Sequence, residues 1–175
     1  DSMDTVCKLS DYAKEHSIDV KIIGVPKTID NDLAITDHTP GFGSAAKFIA
    51  VTMKELIRDI SVYSMKAVTI VEIMGRDAGW LTAAAGVGTA AGGYSPDGIY
   101  LPECVFSMDE FFDNIEKSFK KHPNLVIAVS EGIRFADGRY VGEGINSSSR
   151  DAFGHVRLSG AGKVLEKFVK ERLGC

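Results

Sequence analysis

The stretch AVTIVEIMGRDAGW, residues 67–80, runs from an apolar segment through a glycine into polar residues. Residues 67–74 are mostly apolar and rich in β-branched side chains, which is typical of a buried strand. Gly75 ends that strand, and residues 78–91 are so rich in alanine and other small residues that they favour a closely packed helix. This stretch therefore predicts a strand, a loop and a helix in succession.

The same alternation of helix and strand extends along the chain in both directions. Apolar spacing and short apolar runs predict helices over 1–16, 41–64, 108–121 and 159–173, and strands over 20–25, 99–101 and 125–129. Ser107 and Glu110 predict a capping box for the third of these helices, and Asp137-Gly138 predicts a hairpin over 134–141. Because helices separate the strands, we expect an α/β fold, a three-layer sandwich with a mostly parallel sheet and helices on both faces.

Composition and charge limit the partners that the protein can have. Of its 175 residues, 45% are hydrophobic and 25% are charged, which is typical of a globular protein. The net charge of −4 leaves no overall positive field for nucleic acid, and no apolar run approaches the roughly 18 residues of a membrane span. Cys7, Cys104 and Cys175 have neither disulfide-framework nor zinc-site spacing. We therefore expect a cytoplasmic protein that binds neither nucleic acid nor a membrane.

The loop over residues 26–40 follows a predicted strand and holds several reactive side chains. Its sequence PKTIDND places Lys27, Thr28, Asp30 and Asp32 within six residues. Phosphoryl transfer needs a carboxylate to orient or deprotonate the attacking hydroxyl and cations to neutralise charge, and this loop supplies both. The alternative is a structural turn in which Asp30, Asn31 and Asp32 only hydrogen-bond to nearby backbone.

Two further loops, 75–80 and 131–134, follow predicted strands and belong to the same edge of a parallel sheet. Gly75 permits close approach of a ligand to the backbone, and Arg76 could grip a phosphate with two hydrogen bonds. The alternative is that Arg76 only pairs with a nearby carboxylate. Glu131 could accept hydrogen bonds from a sugar hydroxyl, or it could be an ordinary solvated carboxylate.

Three motifs, taken together and in this order, resemble those of the phosphofructokinase family: GVPKTIDNDL at 24–33, VEIMGRDAGW at 71–80 and SEG at 130–132. The resemblance extends over essentially the whole chain. It implies a phosphofructokinase-like fold and transfer of a phosphoryl group to the 1-hydroxyl of fructose 6-phosphate, a step of glycolysis. The reaction type implies Mg²⁺ as cofactor, although no metal-ligating residue is matched within this chain.

The resemblance also implies roles for individual residues. Asp30 matches the aspartate base of the family. The positions that match substrate-binding residues are Thr28, Asp30, Asp32, Met74, Gly75, Arg76 and Glu131. Of these, the residues of the MGR motif are implied to contact the sugar phosphate and the transferring phosphate, and Glu131 is implied to bind the sugar.

Lys27 and Asp1 bear on the phosphoryl donor. Family members that use ATP typically have glycine before TIDND, whereas those that use pyrophosphate have lysine, as here at Lys27. Pyrophosphate lacks the adenosine that positions ATP, so a lysine that meets its charge can take over positioning. Asp1-Ser2 resembles the end of a glycine-rich segment in which pyrophosphate users carry a donor-selecting aspartate. The resemblance therefore implies that Asp1, Lys27 and Asp30 are catalytic and that pyrophosphate is the donor.

Members of this family are considerably longer than 175 residues. We therefore expect residues 1–37 to be the tail of the phosphoryl-donor domain and residues 38–175 to be most of the sugar-phosphate-binding domain, both incomplete. We expect the isolated chain to be inactive and the full-length protein to be a homo-oligomer. Two alternatives stay open: an enzyme that uses ATP, and a non-catalytic module that binds sugar phosphates. Asp30 and Lys27 argue against the second, because a pure binder needs no base.

Overall fold

The computed structural model describes residues 2–90, 93–144 and 160–175. Its three strands form one parallel sheet in the order β1-β3-β2. The strands are β1 (Ala67–Ile73), β2 (Gly98–Tyr100) and β3 (Asn124–Ser130). All seven residues of the central strand β3 are buried, because it has a strand on each side and helices on both faces.

Six α-helices surround this sheet in the described part of the chain. They are α1 (Ser2–Glu15), α2 (Phe42–Ile60), α3 (Trp80–Ala83), α4 (Val87–Ala90), α5 (Met108–Phe119) and α6 (Ala161–Leu173). Two short 3₁₀ turns, Ala84–Gly86 and Val141–Gly144, complete the helical structure. None of the helices in the described segments is both long and apolar enough to cross a membrane.

One face of the sheet packs against α5 and α6. Leu125, Ile127 and Val129 alternate along β3 and belong to the core on this face. Phe111 of α5 and Leu165 of α6 are fully buried in the same core. Burial of these large apolar side chains fixes both helices against the sheet.

The opposite face packs against α2 and α3. Val126 and Ala128 of β3 contribute to a second core on this face, together with Met53 of α2 and Leu81 of α3. Two apolar cores on opposite faces of a parallel sheet make a three-layer α/β fold. The predicted fold class is therefore confirmed, and every strand pair in the described residues is parallel.

The predicted strand over residues 20–25 is wrong. This segment has no strand structure and forms no strand ladder with any described residue. Ile23 and Val25 are 83% and 82% exposed, so its apolar side chains do not enter either core. An extended segment becomes a stable strand only when a neighbouring strand satisfies its backbone hydrogen bonds.

The predicted alanine-rich helix over 78–91 is broken into α3, a 3₁₀ turn and α4, which end at Ala90. Gly86 and Gly88 lower the helix propensity of this segment. A Cβ atom added to Gly88 would lie 2.7 Å from the carbonyl oxygen of Tyr94, so the backbone packs too closely here for a side chain. The small residues therefore allow the backbone to pack closely, and they do not form one continuous helix.

The remaining predicted elements lie close to their predicted positions. Helix α2 ends at Ile60, four residues before the predicted end. The Ser107 hydroxyl accepts a hydrogen bond from the Glu110 amide at 3.4 Å, which confirms the predicted cap of α5. The predicted hairpin over 134–141 is a turn with one antiparallel bridge, between Arg134 and Tyr140.

Candidate functional site

The carboxyl ends of β1 and β3 bring the second and third loops together. The two strands are parallel and in register, with Ile73 opposite Ser130, so both loops leave the sheet at the same edge. The Glu131 amide donates to the carbonyl oxygen of Ile73 at 3.0 Å, which extends the pairing beyond the strand. The Glu131 side chain then accepts a hydrogen bond from the Gly75 amide at 3.2 Å. The carboxylate of the third loop is thereby tied to the glycine of the second.

A second set of contacts joins the backbones of these two loops. The hydroxyl of Ser130, which is fully buried, donates to the carbonyl oxygen of Gly75 and accepts from the Gly132 amide at 3.2 Å. A Cβ atom added to Gly132 would lie only 1.9 Å from the carbonyl oxygen of Arg76. Gly75 has φ +140°, a conformation that disfavours any side chain. Both glycines are therefore required for the close approach of the two loops.

The first loop is closed by Asn31. This residue has φ +60° and is 8% exposed. Its side-chain amide donates to the carbonyl oxygen of Asp37 at 3.1 Å and accepts from the Thr39 amide at 2.8 Å. The Asp30 amide donates to the Thr28 hydroxyl at 3.1 Å, which fixes the residue just before this turn. The loop therefore has the local side-chain-to-backbone bonds of a structural turn, but Asn31 and Thr28 make them.

The Asp30 carboxyl is not needed to hold the loop, because the side chains of Thr28 and Asn31 make the hydrogen bonds that do so. Its Oδ1 atom is buried and has no hydrogen-bond partner among the described residues. Burial raises the pKa of the Asp30 carboxyl, the nearby charge of Asp32 raises it further, and the charge of Lys27 lowers it. A buried carboxylate oxygen without a partner is costly and suits a group that meets a ligand donor.

The electrostatics of Glu131 connect the first loop to the other two. Burial raises the pKa of the Glu131 carboxyl, the hydrogen bond from Gly75 and the charge of Arg76 lower it, and Asp30 and Glu72 raise it. Asp30 therefore lies close enough to Glu131 for its charge to raise the pKa of the Glu131 carboxyl. All three predicted loops meet at one site at the carboxyl edge of the sheet.

Arg76 lies in this site as a half-buried residue. The two carboxylates nearest to it in the sequence have other partners. Asp77 forms an ion pair with Arg134, and Glu72 accepts hydrogen bonds from the amides of Gly160 at 3.2 Å and Gly162 at 2.7 Å. Glu72 therefore has a structural role, capping the amino end of α6.

The other predicted residues lie around the rim or beyond the described segments. Met74 is 58% exposed, and Lys27 and Asp32 are exposed. Asp1 lies outside the described residues. Asn31 makes bonds to nearby backbone, as the alternative of a structural turn predicts for it, whereas the role of Ser130 was missed because the SEG motif was interpreted only for its glutamate. The signal for Asn31 was its residue type, because asparagine tolerates the left-handed conformation and bonds to nearby backbone.

A metal ion can be considered from the chemistry of the acidic side chains. The described ranges contain no group of three or more His, Cys, Asp or Glu residues that could hold a metal ion. Mg²⁺ keeps several waters and commonly takes one or two carboxylates together with substrate phosphates. The exposed Asp32 fits such a partial ligand set.

Comparison with known proteins gives consistent matches over the whole chain. The family profile described as Phosphofructokinase matches residues 1–175. The pyrophosphate–fructose 6-phosphate 1-phosphotransferase of Methylococcus capsulatus is 43% identical, over 99% of this chain and 41% of that protein. The sulfofructose kinase of Alkalicoccus urumqiensis is 36% identical, over 98% of this chain and 43% of that protein.

A solved structure agrees with these matches. The pyrophosphate-dependent phosphofructokinase from Nitrosospira multiformis superimposes with a TM-score of 0.74 and 35% identity. The match covers 98% of this chain and 39% of that one. The chain therefore spans about two fifths of the length of the relatives that it matches.

Proposed function

The chain belongs to the phosphofructokinase family, and we propose that it supplies the base and the sugar-phosphate site for phosphoryl transfer from pyrophosphate to the 1-hydroxyl of fructose 6-phosphate. The observation that carries this proposal is the buried Oδ1 atom of Asp30, which has no partner among the described residues and lies beside acidic and basic groups of the same site. A general base needs such an oxygen to accept the proton of the attacking hydroxyl.

Asp30 is the catalytic base in this proposal. Its raised pKa brings the carboxyl closer to the working pH, which favours proton transfer in both directions. Thr28 and Asn31 hold the backbone on either side of it through their hydrogen bonds. The charge of Asp32 contributes to the raised pKa of the Asp30 carboxyl.

The second and third loops bind the sugar phosphate in this proposal. Arg76 is the cation for a phosphate, and Gly75 lets the ligand approach the backbone. Glu131 accepts from a sugar hydroxyl through the oxygen that does not already hold the Gly75 amide. Met74 contributes an exposed apolar contact at the rim.

Pyrophosphate is the proposed donor because of Lys27, whose charge acts on Asp30 and would also meet the charge of the phosphates. Asp1 is proposed as the residue that selects against a nucleotide. Bound Mg²⁺ would neutralise phosphate charge, with the exposed Asp32 as the residue available to hold it.

The division into two incomplete domains, 1–37 and 38–175, is also part of the proposal. Both hydrophobic cores are built from residues after position 37, apart from the partly buried Ile29. The first segment therefore contributes the catalytic loop but little of the core. We further propose a homo-oligomer for the complete protein and, because all three cysteines are free, a reducing compartment such as the cytoplasm.

The first experiment compares this chain with an extended protein, in which the segments that the relatives carry on either side are added. Both are assayed with fructose 6-phosphate and Mg²⁺, with pyrophosphate or ATP as donor. We expect turnover with pyrophosphate in the extended protein only. Because one relative is named as a sulfofructose kinase, sulfofructose is tested as a second acceptor.

Three variants separate the proposal from its alternatives. Lys27→Gly should abolish the use of pyrophosphate, whereas turnover with ATP alone in the parent would show that the donor is wrong. Asp30→Ala should abolish turnover and leave sugar-phosphate binding measurable by calorimetry. Arg76→Ala should weaken that binding. Sugar-phosphate binding without turnover in any extended form would favour the non-catalytic module.

A further inference from the structure

Ser130 is the last residue of β3 and is fully buried between the two sugar-phosphate loops. Its hydroxyl makes two hydrogen bonds, one donated to the carbonyl oxygen of Gly75 and one accepted from the Gly132 amide. A hydroxyl is one of the few side-chain groups that can donate and accept at the same time. Ser130 therefore satisfies one backbone group from each loop.

The peptide groups of Gly75 are held from both sides by consecutive residues of the same strand end. The Gly75 carbonyl accepts from Ser130, and the Gly75 amide donates to the Glu131 carboxylate at 3.2 Å. The backbone of Gly132 then packs against the carbonyl oxygen of Arg76, with no space for a Cβ atom. Small displacements of Ser130 would therefore move Gly75 and Arg76 relative to Glu131.

We propose that Ser130 is a positioning residue whose hydroxyl fixes the cationic loop at Arg76 against the sugar-binding carboxylate of Glu131. This inference rests on the proposed function, because it concerns the sugar-phosphate side of that site. Ser130 itself is too buried to touch the ligand. Its loss leaves a buried carbonyl and a buried amide without a partner, and both loops then have to shift to find water.

The test uses the extended protein with Ser130→Ala, Ser130→Thr and Thr82→Val. Thr82 is a matched control, because its side chain is also fully buried and its hydroxyl has no partner among the described residues. For each variant we measure the KM for fructose 6-phosphate, the KM for pyrophosphate, kcat and the free energy of unfolding in urea. A purely structural role lowers stability without separating the two KM values.

We expect Ser130→Ala to raise the KM for fructose 6-phosphate about tenfold or more, and by clearly more than the KM for pyrophosphate, because the sugar-phosphate loops lose a bond while the donor is also held by Lys27 outside them. Ser130→Thr keeps the hydroxyl and should recover most of the loss, and Thr82→Val should change neither constant. Unchanged KM values in Ser130→Ala would overturn the proposal. Equal rises in both KM values, or the same change in Thr82→Val, would also overturn it.

A binding measurement separates this inference from the proposed function. Calorimetry with fructose 6-phosphate, without a donor, reports the sugar-phosphate site whether or not the protein turns over. If the parent binds the sugar phosphate but transfers no phosphoryl group, weaker binding by Ser130→Ala still supports the positioning role while the proposed function fails. A parent that turns over, with Ser130→Ala binding as tightly as the parent, overturns the positioning role alone.

Discussion

The buried carboxylates at the two ends of the parallel sheet differ in whether their oxygens have hydrogen-bond partners. At the amino end, both oxygens of Asp97 have partners: Oδ2 accepts from the Val126 amide at 2.9 Å, and Oδ1 lies 2.9 Å from Nε2 of His122. The other ring nitrogen of His122 lies 2.6 Å from the carbonyl oxygen of Asn124. At the carboxyl end, one oxygen of Asp30 is buried with no partner among the described residues.

This difference separates a carboxylate that stabilises the fold, Asp97, from the carboxylate proposed as the catalytic base, Asp30. Asp97 joins the segment before β2 to β3, since its backbone amide also donates to the carbonyl oxygen of Val126 at 2.7 Å. A buried polar group with its full set of partners stabilises the fold, whereas an unpartnered one costs stability. The unpartnered Oδ1 atom of Asp30 therefore lowers the stability of the fold, and a hydrogen bond from a ligand hydroxyl would offset that loss. The amino end is therefore a structural clamp, and the carboxyl end holds the proposed site.

The largest expected effect is on turnover. In the extended protein, Asp30→Asn should lower kcat by about 10²- to 10⁴-fold, because the amide cannot take a proton from the attacking hydroxyl. Asp97→Asn is the matched change at the other end and should leave kcat within about threefold, because Asp97 is remote from the three loops. Steady-state assays with fructose 6-phosphate and pyrophosphate measure both. Comparable losses in the two variants would remove the distinction between the ends.

The next largest effect is on the free energy of unfolding. Here the change at Asp97 should matter more than the change at Asp30. Asp97→Ala should lower the free energy of unfolding by about 1–3 kcal/mol, since the Val126 amide and His122 lose their acceptor. Asp30→Asn should leave stability unchanged or slightly raised, because no hydrogen bond to its Oδ1 is lost. Urea denaturation followed by circular dichroism compares the two. A larger destabilisation from Asp30→Asn would show that Asp30 is the structural carboxylate.

The sequence predicted most of the sheet because its strands are apolar runs that need no distant information. Residues 125–129 are apolar without interruption, and the structure buries them between two strands and two layers of helices. The cap at Ser107 could also be predicted from nearby sequence, since its partner Glu110 is three residues away. The segment 20–25 has a similar apolar pattern but no neighbouring strand in the part of the chain that the structure describes, and a pattern alone cannot show whether a partner exists.

The site was predicted less completely than the sheet. The sequence predicted three loops with charged residues at one edge of the sheet, but it did not show that Ser130 joins two of them. Asn31 and Ser130 make their bonds to backbone groups, and the partner of Ser130 at Gly75 is 55 residues away. A hydroxyl at the end of a buried strand has no local signal for such a bond. Its role follows only from the parallel register of β1 and β3.

A smaller effect concerns the charges around Asp30. Burial is the main cause of its raised pKa, but Asp32 raises it and Lys27 lowers it. Asp32→Asn should therefore move the pKa of Asp30 down, and Lys27→Met should move it up. Carbon-13 titration of the Asp30 carboxyl by NMR measures both shifts on the chain itself. Shifts of the same sign would mean that the two charges do not act directly on Asp30.

The smallest expected effect is on how the free energy of unfolding depends on pH. It compares the carboxyl of Glu131, in the proposed site, with the carboxyl of Asp137, in an exposed turn. The pKa of Glu131 is raised above its ordinary 4.5, chiefly by burial, so its contribution to stability is full below that value and is lost as the pH rises through the folded pKa. Hydrogen bonds from Arg139 lower the pKa of the exposed Asp137 below 3.8, so its contribution is present above that value and is lost on acidification.

Removing each charge should therefore change the pH profile in opposite directions. Between pH 3 and pH 7, Glu131→Gln should gain stability relative to the parent, because the glutamine keeps an acceptor for the Gly75 amide and never ionises. Asp137→Asn should lose stability relative to the parent over the same range. Urea midpoints at several pH values give both differences. If Glu131→Gln instead lost stability toward neutral pH, the ionised Glu131 carboxylate would stabilise the fold, as Asp97 does. The carboxyl end of the sheet would then also be held by a structural carboxylate.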